Sequence, residues 1–186
     1  MSEQDIRIVN IVVSASLGQD IPLEKMAATL PNTEYNPEQF PGLVIRIKEP
    51  KTSALIFNSG KIVCTGGKTI KDVKDCVDQI KKNLEKINIS ITIDPKLTIQ
   101  NIVASGSIGM DLNLNTLAMK LQNTEYEPEQ FPGLVYKLNV DSKEGNSFRA
   151  TFLLFSNGKI VCTGTKSKDQ VHESVEKLIE SLKRFK

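Results

Sequence analysis

One stretch of thirteen residues, Asn32-Thr-Glu-Tyr-Asn-Pro-Glu-Gln-Phe-Pro-Gly-Leu-Val44, occurs twice in this chain of 186 residues. Its copy, Asn123 to Val135, differs only in having Glu127 where the first has Asn36. Asn10-Ile-Val-Val-Ser14 returns as Asn101-Ile-Val-Ala-Ser105 at the same offset of 91. Phe57-Asn-Ser-Gly-Lys-Ile-Val-Cys-Thr-Gly66 returns as Phe155-Ser-Asn-Gly-Lys-Ile-Val-Cys-Thr-Gly164 at an offset of 98. The second half therefore carries seven extra residues between Val135 and Phe155. They fall in Asp141-Ser-Lys-Glu-Gly-Asn-Ser-Phe-Arg149, whose composition favours a turn. Two copies are too few for a solenoid. They predict one intertwined, pseudo-two-fold molecule with repeats at 1–90 and 91–186.

Each copy parses as β-α-β-β-β-β-α, an α+β fold. Ile6–Ala15 alternates and is rich in Val and Ile, which argues strand. Pro22–Leu30 reads as a short helix with proline near its first position. Thr33–Asn36 and Leu43–Lys48 read as strands, and Ser53–Ser59 with Lys61–Gly66 as a hairpin turning at Ser59-Gly60. Thr69 looks like the N-cap of a long helix with the stripe Ile70, Val73, Cys76, Val77, Ile80 and Leu84. After Ser167 the second copy has Val171, Val175, Leu178, Ile179 and Leu182. Pro37 and Pro41 stiffen the duplicated loop by fixing φ, and Gly42 lets the chain turn back. Phe40, and Phe131 in the copy, are thereby held at a loop tip where chains usually place polar residues.

A hydrophobic content of 39% supports a real core, and a net charge of +2 does not by itself point to nucleic acid. Three cysteines without metal-type spacing suit a reducing compartment. The first residues lack a signal-peptide pattern, and no apolar run reaches membrane-spanning length. The expectation is an intracellular, cytoplasmic protein with no membrane association. A single histidine and no clustered base, nucleophile or metal set argue against an enzyme. No cofactor or metal is expected.

The strand pattern carries the functional argument. Side chains alternate across a strand, yet both faces of the predicted strands are largely apolar. Four helices can cover one face of such a sheet. The other, lined by Val12, Leu55, Val63 and their mates Val103, Leu153, Val161, is left open, and an open apolar face marks a binding surface. A second copy of the chain could cover it, as a weak homodimer of DNA-free protein. A minor groove of A·T pairs suits it better. That groove edge offers acceptors and no amino group, which Asn10, Asn101, Thr65 and Thr163 can meet as donors. Lys61, Lys159, Arg46 and Lys137 can meet phosphates. The rival is a sheet that binds RNA or single strands. Such sheets stack bases on mid-strand aromatics, whereas the mid-strand residues here are Val, Leu and Asn.

The doubled Asn-Ile-Val, Glu-Tyr-x-Pro-Glu-Gln-Phe-Pro-Gly-Leu and Phe-x-x-Gly-Lys-Ile-Val-x-Thr-Gly motifs resemble the TATA-box-binding protein family, its archaeal branch in particular. The resemblance runs from Asn10 through the final helix. It implies a saddle, with a curved ten-stranded antiparallel sheet on the minor groove and four helices on the convex side. That family is a standard example of wedge-inserting minor-groove binders. By resemblance, Phe40 with Phe57 and Phe131 with Phe155 match the intercalating pairs. Asn10, Asn101, Thr65 and Thr163 match the central hydrogen-bonding groups. Val12, Val63, Val103 and Val161 match groove-floor valines, and Leu55 and Leu153 the leucines beside the wedges. Arg46, Ser59, Lys61, Lys68, Lys137, Lys159 and Lys166 fall at positions of phosphate contact. Glu127, Glu129 and Gln130 match the docking site for transcription factor B, which brings RNA polymerase. In an archaeal cell such a protein is associated with the nucleoid. The extra residues around Arg149 lie outside the family pattern.

Overall fold

The computed structural model describes residues 5–185. In chain order these form β1 (Arg7–Ser16), α1 (Leu23–Thr29), β2 (Thr33–Glu34), β3 (Leu43–Ile47), β4 (Thr52–Ile56), β5 (Lys61–Gly67) and α2 (Ile70–Glu85). The second repeat follows as β6 (Thr98–Ser107), α3 (Leu114–Lys120), β7 (Thr124–Glu125), β8 (Leu134–Asp141), β9 (Ser147–Leu154), β10 (Lys159–Thr165) and α4 (Lys168–Lys183). The strands make one ten-stranded antiparallel sheet, running β2-β3-β4-β5-β1 in the first repeat and β6-β10-β9-β8-β7 in the second. The chain divides into two compact units: Asn10–Gln100, and the residues from Asn101 on together with those up to Val9. Within the latter, Ile6 packs so closely on Gly106 that any side chain there would collide with it and with the Asp5 backbone.

In each unit the alternation sorts the strands into one buried and one open face. Ile11, Val13, Ala54, Ile56, Ile62 and Cys64 are buried, as are Val73, Cys76, Val77, Ile80 and Leu84 of α2. Each such large aliphatic side chain stabilises the fold by about 1.5–3 kcal/mol relative to exposure. The second unit buries Ile102, Ala104, Phe152, Leu154, Ile160 and Cys162, along with Val171, Val175, Leu178 and Leu182 of α4. The helix stripes depart from expectation at three places. Ile70, in the first turn of α2, is 39% exposed. Ile179 is only half-buried. Ser174 occupies the place of Cys76 and satisfies its hydroxyl on the Gln170 carbonyl at 2.7 Å.

The helix starts are capped as the sequence suggests. Thr69 Oγ1 accepts the Asp72 amide at 3.1 Å, while the Asp72 carboxylate accepts the Thr69 and Lys68 amides at 3.2 and 3.0 Å. These bonds, the one from Lys68 foremost, hold the Asp72 carboxyl below its usual pKa. Ser167 caps α4 through the Gln170 amide at 3.1 Å. Pro22 is the N-cap of α1 rather than its first helical residue. The extra residues lengthen one hairpin, giving β8 and β9 eight residues each where β3 and β4 have five. Glu173 of α4 secures its turn by accepting the Ser142 hydroxyl at 3.3 Å and the Lys143 amide at 3.2 Å. Phe148 is half-buried opposite Val140.

Cys64, Cys76 and Cys162 are free and buried. The hydrogen bond shared with Cys76, and then burial, push the Cys64 thiol up; burial pushes Cys162 up to about 12. Among the described residues, no three His, Cys, Asp or Glu side chains could hold a metal ion, and no helix is long and apolar enough to cross a membrane.

Candidate nucleic-acid interface

Cross-strand register assembles the open face of each repeat. In the first, Ser14 lies opposite Val63, Val63 opposite Leu55, and Leu55 opposite Val44. Towards one end of these strands come Thr65, Ser53 and Arg46, again in register. The second repeat repeats the rows: Ser105, Val161, Leu153 and Val135, then Thr163, Thr151 and Lys137. Every residue of the Val-Leu-Val rows is half-exposed, whereas its sequence neighbours on both sides are buried. Val12 and Val103 are half-exposed likewise. Val44 and Val135 share this face as well, beyond the residues expected on it. The period-two pattern already contained them.

At the other end of the rows stand the phenylalanines. Phe40 and Phe57 meet edge to face with centroids 5.9 Å apart and planes at 67°, and Phe131 and Phe155 do so at 5.9 Å and 76°. Phe40 is 41% exposed and Phe131 42%. The loop is held by the Asn36 carbonyl, which accepts the Gln39 and Phe40 amides at 3.0 Å, and by the Glu127 carbonyl in the copy. Gly42 gives the rings their room: a Cβ there would lie 2.7 Å from Phe40 Cε1 and 3.1 Å from Phe57 Cε1. Gly133 does the same for the second pair.

Asn10 and Asn101 are tied down. Asn10 Oδ1 accepts the Gly66 amide at 2.7 Å, and its Nδ2 donates to Thr65 Oγ1 at 3.2 Å. Asn101 Oδ1 accepts the Gly164 amide at 2.8 Å, with Nδ2 on Thr163 Oγ1 at 2.9 Å. The ladder slips register at this point, between Ile11 and Val13 and between Cys162 and Thr165. Gly66 and Gly164 take φ of +94° and +89° there, a region open to glycine, and turn their N–H groups to the asparagines. An amide has two N–H donors, so each asparagine keeps one beyond the bond to its threonine.

The expected cations fall at several places along each repeat. Lys61, Lys68, Lys159 and Lys166 are exposed, the Lys61 amide reaching Ser59 Oγ at 3.4 Å and the Lys159 amide Asn157 Oδ1 at 3.1 Å. Lys68 and Lys166 lie just before the caps of α2 and α4 rather than in the rows. Arg46 pairs with Glu34 at 3.3 Å, whereas Lys137 has no carboxylate within 4.0 Å among the described residues. Glu127, Glu129 and Gln130 are exposed on the loop that carries Phe131.

Comparison with known proteins agrees across nearly the whole chain. The family described as transcription factor TFIID (or TATA-binding protein, TBP) matches residues 5–87 and 96–185, one segment in each repeat. The chain is 47% identical over 185 residues to the TATA-box-binding protein of Archaeoglobus fulgidus, covering 98% of this chain and 97% of that one. To the Methanosphaera stadtmanae protein of the same name it is 50% identical over 182 residues, covering 98% and 96%. The solved structure of Methanococcus jannaschii TBP superposes with a TM-score of 0.85 at 43% identity, covering 97% of this chain and 99% of that one. The chain belongs to the TATA-box-binding protein family, and is a DNA-binding transcription factor rather than an enzyme.

Proposed function

We propose that the open face of each repeat reads the minor groove of an A·T-rich promoter element, with the phenylalanine pairs as wedges. The observation that carries this is the doubled row of half-exposed Val and Leu, with an edge-to-face Phe pair at one end and an oriented asparagine at the other. Valines and leucines fit a groove floor without an amino group and clash with the one that guanine adds. The free N–H of Asn10 and of Asn101 matches the adenine N3 and thymine O2 acceptors. Wedge insertion costs a few kcal/mol of unstacking per step and is offset by the wider contact that bent DNA permits. Arg46, Ser59, Lys61, Lys68, Lys137, Lys159 and Lys166 meet phosphates. Arg46 must leave Glu34 to do so, at small cost for an exposed pair.

In this reading the second loop, through Glu127, Glu129 and Gln130, docks transcription factor B, which brings RNA polymerase to the promoter. The face argues against single-stranded nucleic acid, because aromatics stand only at its strand ends and not where bases would stack. The test is a titration of A·T-rich duplex against the same duplex with central G·C pairs and against single strands. Each central G·C pair is expected to cost about 1–3 kcal/mol. Equal affinity for all three ligands would overturn the reading.

A further inference from the structure

The residues that the second repeat adds form a ribbon rather than a loose loop. Beyond Thr151, whose partner Thr163 is the last that β10 offers, β8 and β9 continue alone through the pairs Leu138–Ala150, Asn139–Arg149, Val140–Phe148 and Asp141–Ser147. On the other side, β7 pairs only with Val135 and Tyr136. A two-stranded ribbon is marginally stable by itself, so this one needs support from outside the sheet. Alternation gives it two unlike faces. Leu138, Val140 and Ala150 are buried and α4 packs on β8, whereas Asn139, Asp141, Ser147 and Arg149 are exposed on the open side.

One side chain fastens the far end of the ribbon. Glu173 of α4 uses both carboxylate oxygens: Oε1 accepts the Ser142 hydroxyl at 3.3 Å, and Oε2 the Lys143 amide at 3.2 Å. The Ser142 hydroxyl oxygen in turn accepts the Glu144 amide at 3.3 Å, and the turn closes through the Ser142 amide on the Asn146 carbonyl at 3.0 Å. By the repeat offset of 98, Glu173 corresponds to Asp75 of α2. Asp75 makes no such clasp. Its partner is Lys71 of the same helix at 3.9 Å, and it lines an open groove with Lys48, Pro50 and Lys51 of the short first-repeat turn.

We infer that Glu173 is a positioning residue for DNA binding: it pins the ribbon at its tip, so that the Arg149 guanidinium reaches the duplex already ordered. This rests on the minor-groove reading above. The Arg149 Nε donates to Asn139 Oδ1 at 3.2 Å, which leaves the two terminal nitrogens for a phosphate. A ribbon released at its tip has to be ordered at the moment of binding, and that cost weakens the complex. The sign separates the clasp from plain electrostatics. Glu173 is an anion, and removing an anion from a DNA-binding protein favours binding by charge alone. Removing a clasp does the opposite.

The experiment measures the affinity of the full chain for A·T-rich duplex by anisotropy, in a cycle of Glu173→Ala, Arg149→Gln and the double variant. Glu173→Ala should weaken binding about threefold to tenfold, as for residues coupled in one network. Glu173→Gln keeps an acceptor oxygen and should recover most of that loss. In the Arg149→Gln background, Glu173→Ala should cost nothing further, because the residue it positions has gone. Amides of the ribbon should exchange faster with deuterium in DNA-free Glu173→Ala. Asp75→Ala removes the same charge from the first repeat and should leave affinity unchanged or slightly tighter. Should Glu173→Ala fold poorly, Ser142→Ala loses one bond of the clasp and should show a smaller loss with the same dependence on Arg149. Unchanged or tighter binding in the clasp variants, or an equal loss with and without Arg149, overturns the inference. Failure of the minor-groove reading shows separately, as loss of A·T preference in the wild type.

Discussion

Asn10 Oδ1 accepts the backbone N–H of Gly66 at 2.7 Å, and Asn101 holds Gly164 in the same way at 2.8 Å. This bond settles which end of each amide faces the open side. With the oxygen consumed by a glycine whose φ is positive, the nitrogen end is left to donate. The donor is thus set before any ligand arrives, so little side-chain entropy remains to be lost on binding.

Asn10→Asp tests this orientation. The aspartate can still accept the Gly66 amide, so thermal stability should change by less than about 1 kcal/mol. It has no N–H to offer, and a well-placed polar base contact is worth about 1–3 kcal/mol. Affinity for A·T-rich duplex should fall by at least that much, read by anisotropy titration. Retained affinity would show that the amide nitrogen does not meet the groove.

Gly42→Ala and Gly133→Ala probe the proposed wedges without deleting them. The added methyl would meet Phe40 Cε1 at 2.7 Å, or Phe131 Cε1 at 2.8 Å, and the ring can swing aside because it is exposed. Folding should lose less than about 1 kcal/mol, but the edge-to-face pairs should open. The expected result is a smaller DNA bend by energy transfer at near-normal melting temperature. An unchanged bend in the double variant would mean that the pair geometry is not what kinks the duplex.

How legible all this was in the sequence depends on the kind of interaction. Repeat number, strand count and helix count followed from duplicated motifs and alternation, because Val and Leu at period two leave few alternatives. The capping box of Thr69 with Asp72 was half visible, the threonine being recognised and its reciprocal carboxylate not. Ile70 fitted the helical period yet stands exposed, since periodicity cannot tell whether the first turn overhangs the sheet. The tie between Asn10 and Gly66 was invisible, because it depends on a register slip that no pattern encodes. The lengthening of β8 and β9 was equally hidden. A seven-residue insertion can be absorbed by the turn or by the strands, and composition does not say which.

Asp72 supplies the pH prediction. Its folded pKa is lowered, first by the hydrogen bond from Lys68, so its contribution is present above the unfolded value near 4. That contribution is lost as pH falls through the lower folded value. Asp72→Asn removes the titration, so wild type should melt higher than the variant at neutral pH and the gap should close under acid. A gap independent of pH would show that the carboxylate charge does nothing for the start of α2.

The second loop should give the protein its direction towards other factors. Glu127 and Asn36 stand in otherwise identical loops, and both are exposed. The second loop therefore carries one more negative charge in the same backbone frame, with Glu129 and Gln130 beside it. A basic partner surface distinguishes the two through that charge. Glu127→Lys combined with Glu129→Lys should leave A·T-duplex binding intact or slightly tighter, because both side chains point into solvent and their reversal reduces repulsion from phosphate. The same change should weaken addition of transcription factor B to the preformed protein–DNA complex by more than about 1 kcal/mol, the level at which a contact counts as energetically dominant. Gel-shift titration of the factor onto that complex measures it. Glu38→Lys in the first loop is the control, and it should leave the midpoint where it is. An unmoved midpoint in the double reversal, or an equal loss from Glu38→Lys, would assign the direction of assembly to another part of the protein.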